Sequence, residues 1–78
     1  MIRKRITLME QLSKHLSMDE LVRLKRILFH LRPTTAETIV LLLLMEKRYL
    51  CNPVIENNQM RFLYCCIKSE VFDYQVND

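Results

Sequence analysis

Leu16-Ser17-Met18-Asp19-Glu20-Leu21 (residues 16–21) reads as the start of a helix. The Ser17 hydroxyl is placed to accept from the Glu20 amide, the Glu20 carboxylate to reach back to the Ser17 amide, and Leu16 and Leu21 take the staple positions on either side. A tight turn between two helices is the consequence. Upstream, Ile2, Ile6, Met9, Leu12 and Leu16, with Leu8 at the flank, recur every three or four residues, which is one stripe of a first helix running to about His15. Downstream, Leu21, Leu24, Leu28 and Leu31, joined by Ile27, form the core stripe of a second helix, while Asp19, Arg23, Arg26 and His30 fall on the wet side. Val22 and Phe29 make a third apolar flank beside Arg26. They read as core periphery, with a contact patch as the alternative.

Pro33 stops the second helix, because the residue before a proline avoids helical geometry. Thr34-Thr35-Ala36-Glu37 then offers a second Thr-x-x-Glu cap for a long third helix. Its apolar run Ile39 to Met45 covers the whole circumference, so the helix is either central, the favoured reading, or bears an apolar surface that a partner covers, and it ends near Tyr49 or Leu50 after the cations Lys47 and Arg48. Asn52-Pro53 is a turn, or a cap with proline at the first helical position. Met60, Leu63, Tyr64 and Ile67 give a fourth stripe, and Ser69-Glu70 a cap for a last short helix carrying Val71, Phe72, Tyr74 and Val76. No useful length alternates with period two, so the fold class is all-α.

At 78 residues the chain has room for one domain, residues 1–78. Half of it is hydrophobic and about a quarter charged, the balance of a globular protein. There is no glycine, which excludes glycine-rich phosphate loops, dinucleotide fingerprints and nucleophile elbows. Catalysis has no motif, and no cofactor is expected. Cys51, Cys65 and Cys66 are odd in number, and adjacent helical cysteines diverge. They read as reduced, buried small hydrophobes in a cytoplasmic protein. With His15 and His30 they show no metal-ligand spacing, so no metal is expected. The longest apolar run is far short of the roughly 20 residues of a membrane span. Residues 1–32 hold eight lysines and arginines against three carboxylates, and residues 33–78 four against six, within a net charge of +3. Such polarity suits head-to-tail contact with a copy or relative.

Leu16-Ser17-Met18-Asp19-Glu20-Leu21-Val22-Arg23-Leu24-Lys25 resembles the form Leu-Ser-x-x-Glu-Leu-x-x-Leu-Lys found in death effector domains. Leu42-Leu43-Leu44-Met45-Glu46-Lys47-Arg48 is similar to the end of that family's fourth helix in the second such domain of initiator procaspases and FLIP-like inhibitors. Lys68-Ser69-Glu70-Val71 stands where the family ends its fifth helix in Arg-x-Asp-Leu. The resemblance implies a compact antiparallel bundle of the death-fold type, with five to six helices and a vestigial third one between Arg32 and Glu37. It also implies a non-enzymatic adaptor or inhibitor that binds death-effector-domain proteins, self-associates, and regulates death-receptor signalling.

In that family an aromatic residue follows Leu-Lys on the second helix; here the position is Arg26, and Phe29 lies beside it. The resemblance further places Lys68 between Glu20 and Glu70 in a surface network. The candidate partner-binding residues are therefore Glu20, Lys68, Glu70, Arg23, Arg26, Val22 and Phe29. The alternative class is a small basic nucleic-acid-binding protein, in which Arg23, Lys25, Arg26 and Arg32 would meet phosphates.

Overall fold

A computed structural model describes residues 7–72, and every regular element among them is a helix. The first, α1 (Leu8–Ser13), begins where the Thr7 side chain accepts from the Glu10 amide at 3.0 Å. It ends two residues before the expected His15, as the His15 and Leu16 amides bond back three residues to Leu12 and Ser13 and tighten the chain for the turn. Ile2 and Ile6 lie outside the described residues.

Helix α2 (Met18–Phe29) starts with both halves of the capping box. Ser17 N donates to Glu20 Oε1 at 2.8 Å, and Glu20 N donates to Ser17 Oγ at 3.2 Å. Only residues 30–32 separate its end from α3 (Pro33–Tyr49), so the expected vestigial helix has no place there. Thr34-x-x-Glu37 does not cap α3 either. Pro33 itself occupies the first turn, preceded by Arg32 in extended geometry with no side-chain cap. Proline's fixed φ and missing amide suit that first position, and the same ring forces the residue before it out of the helix. One residue thus ends α2 and begins α3.

At the far end of α3, Leu50 closes the helix in the left-handed region (φ 55, ψ 35), its amide donating to the Glu46 carbonyl at 2.8 Å. This is the position at which helices most often use glycine, since a Cβ is disfavoured there. Leu50→Gly should therefore raise stability by about 0.5–1 kcal/mol. Calorimetry checks this as a rise of a few degrees in Tm, and an unchanged or lower Tm would contradict it.

Asn52-Pro53 starts no helix. Helix α4 (Asn58–Phe72) begins instead after Asn57, whose side chain accepts from the Met60 amide at 2.9 Å. It runs without a break through Ser69-Glu70, so these residues do not cap a separate short helix. Tyr64, Ile67 and Val71 are buried along one stripe, and that burial holds the helix across a sequence that local preference would cut. Tyr74 and Val76 lie outside the described residues.

The core is Leu12, Leu24, Ile39, Val40, Leu43, Leu44, Tyr64, Ile67 and Val71. The main helix pairings are α1 with α3 and α2 with α4. Between α3 and α4, Leu42 meets Tyr64, Glu46 meets Lys68 and Lys47 meets Phe72, so these two helices run in the same direction rather than antiparallel. The chain from Leu50 to Asn57 is about 26 Å at full stretch, enough to return along the length of α3. Ile55 packs on the core on the way. Helix α3 is central, as expected, but not on every side: Leu41 and Met45 remain exposed.

Candidate interaction surface

Three groups of side chains bear on the candidate contact residues. The first lies between α3 and α4. Glu46 Oε1 accepts from Lys68 Nζ at 2.8 Å and from the Tyr64 hydroxyl at 3.1 Å, while Tyr64 also reaches the Leu42 carbonyl at 3.3 Å. Lys68 Nζ is within 3.4 Å of Asn52 Oδ1 and 5.3 Å of the Tyr64 ring centre. The ion-pair side chains are only 18% and 14% exposed. This knot joins the two helices and ties down the loop between them. Lys68 is thus paired with Glu46, and Glu20 is engaged with the Ser17 amide; the expected bracketing of Lys68 by Glu20 and Glu70 is not the arrangement these contacts form.

The pattern of α3 held a signal for Glu46. It lies seven residues after buried Ile39 and so on the inward stripe. A carboxylate at such a place calls for a cation from the facing helix, and Lys68 follows buried Tyr64 by one turn.

The second group centres on Arg23. Its guanidinium donates to the Val71 carbonyl at 3.2 Å and to Asp19 Oδ2 at 3.0 Å. It therefore satisfies a carbonyl in the last turn of α4, where a cation is favourable. Expected as a freely projecting contact residue, Arg23 is instead a strut between α2 and α4. Arg23, Arg26, Ile27 and Glu70 line one shallow depression, which is how the structure brings Glu70 near two of the other candidates.

The third group is the outer face of α2. Met18, Val22, Lys25 and Phe29 follow one another at spacings of four, three and four residues, hence on one stripe, with Arg26 at its edge. Met18 is 75% exposed and Phe29 84%, and Val22, Lys25 and Arg26 are exposed as well. Val22 and Phe29 are therefore surface residues and not the core periphery. The two acids at the start of the helix are already engaged, Asp19 with Arg23 and Glu20 in the cap. What remains is a basic and apolar stripe, with the Phe29 ring held edge-on against His30 at 5.7 Å between centres.

Cys51, Cys65 and Cys66 are all exposed, against the expectation of buried cysteines. Cys65 and Cys66 flank the outermost line of α4, opposite its buried stripe, and Cys51 lies past the end of α3. Among the described residues no three His, Cys, Asp or Glu side chains are grouped to hold a metal ion, and no helix is long and apolar enough to cross a membrane. The chain matches no family model, no curated protein and no solved structure.

Proposed function

We propose that the chain is a non-enzymatic protein-interaction domain of the death-effector type, which docks through the outer face of α2 onto an acidic surface of another such domain and thereby regulates assembly of death-receptor signalling complexes. The observation that carries this reading is the α2 stripe. Met18, Val22 and Phe29 are exposed on a helix whose opposite face is already buried, and they alternate with the cations Lys25 and Arg26. Apolar side chains at a contact centre supply affinity, while the cations select an acidic partner and exclude a basic one. Supporting the family reading is the formed capping box at Ser17 and Glu20, which opens the stretch that carries the resemblance.

The test is a pull-down with death effector, pyrin and caspase-recruitment baits, followed by affinity measurement on the bait retained. The double variant Arg26→Glu and Phe29→Ser should weaken binding by at least tenfold with an unchanged melting curve, because both side chains are exposed. Arg23 is unsuitable for this purpose, since its reversal also removes the tie to α4. No binding to any death effector bait would overturn the reading. So would a gel shift by nucleic acid at physiological salt that weakens log-linearly as salt rises.

A further inference from the structure

The side of α4 that points away from the core is built from Asn58, Phe62, Cys65, Cys66 and Ser69, all of them exposed. At about 100° per residue these five fall within one sector of the helix, opposite the buried stripe of Tyr64, Ile67 and Val71. Phe62, at its centre, is 73% exposed. No charged residue falls in this sector between residues 58 and 69, although 27% of the chain is charged; Arg61 and Glu70 stand at its two edges. A solvated helix face carries charged and polar side chains. An exposed phenylalanine among uncharged residues departs from that pattern.

We propose that this face of α4 is a site of weak, symmetric self-association, and that its occupant is the same face of a second copy of the chain. The absence of charge is what selects the occupant. In a two-fold contact each patch meets itself, so a charged patch would repel its own copy and a neutral one does not. An acidic or basic partner, by contrast, finds no complementary charge in the sector. Two α4 helices crossing antiparallel about an axis between residues 65 and 66 set Phe62 of each copy over Ser69 of the other. The same axis brings Cys65 of each copy to Cys66 of the other across the contact. These side chains are small, so the helices approach closely and each phenylalanine ring is covered. One helix face is smaller than a standard stable interface, which places the contact in the transient class. The inference rests on α4 alone and is independent of the α2 docking reading.

Sedimentation under reducing conditions over a concentration series, combined with cross-linking by a short bis-maleimide, tests it on the full chain. The parent chain should show a concentration-dependent dimer. Phe62→Glu should raise the dimer dissociation constant at least tenfold with an unchanged melting temperature. Cys51→Ser should cross-link as the parent does, whereas the Cys65→Ser and Cys66→Ser double variant, which keeps the exposed Cys51, should not. A parent chain that stays monomeric at millimolar concentration would overturn the proposal, as would a dimer indifferent to Phe62→Glu or a cross-link that runs through Cys51. Loss of α2 docking in the Arg26 and Phe29 variant would leave these results unchanged.

Discussion

Lys68→Glu should destabilise the folded domain by about 2–4 kcal/mol, between the small value of an exposed ion pair and the larger one of a fully buried pair. The reason is geometric. Glu46 Oε1 accepts from Lys68 and Tyr64 together, and with both members of the pair less than a fifth exposed, little water is available to replace the cation. The substitution sets one carboxylate against another at the α3–α4 contact. A domain of this length holds roughly 4–12 kcal/mol in all, so the loss is a large part of the total. Urea unfolding should show a lower midpoint at unchanged slope. The charge swap Glu46→Lys with Lys68→Glu should recover part of the loss. Were Lys68 instead an exposed contact between Glu20 and Glu70, the same substitution would lower partner affinity with stability intact, and a midpoint within error of the parent would support that alternative.

Leu43→Ala should cost about 2–5 kcal/mol, while Leu41→Ala, two residues away on the same helix, should cost under about 1 kcal/mol. Leu43 is fully buried and its truncation leaves a cavity, whereas Leu41 is 43% exposed and its methyl groups already meet water. Equal losses at the two sites would show that the outer side of α3 is covered in solution. The pair also marks where sequence reading reached its limit. Ile39 to Met45 is apolar at every position, so no periodicity distinguishes the inward leucines from the outward ones. Packing decides it: α1 lies against α3, and Ile39, Val40, Leu43 and Leu44 are buried in the common core while Leu41 and Met45 stay exposed.

Where the sequence combined two independent signals, it read true. Ser17 and Glu20 had both a cap spacing and flanking leucines, and the box formed in full. Single local signals fared worse, because tertiary burial outweighs them. Thr34-x-x-Glu37 yielded to Pro33 one residue earlier, and Ser69-Glu70 to the burial of Val71 within α4. The candidate interaction surface is partly legible. Helical spacing sets Arg26 and Phe29 near each other on α2, and both are exposed there, but Arg23 shares their pattern while reaching 48 positions along the chain to Val71. No helical period encodes such a contact. For the same reason no helical period pairs Glu46 with Lys68, 22 positions apart.

The central claim is that α2 presents its outer face to a death effector partner. Titration of the isotope-labelled chain with an unlabelled death effector domain, followed residue by residue by amide resonances, tests it most directly. Shifts should concentrate on residues 18–30, at Val22, Lys25, Arg26 and Phe29 above all, and should shrink as salt is raised. Shifts confined to the outer side of α4, or no shifts at saturating partner, would contradict the account.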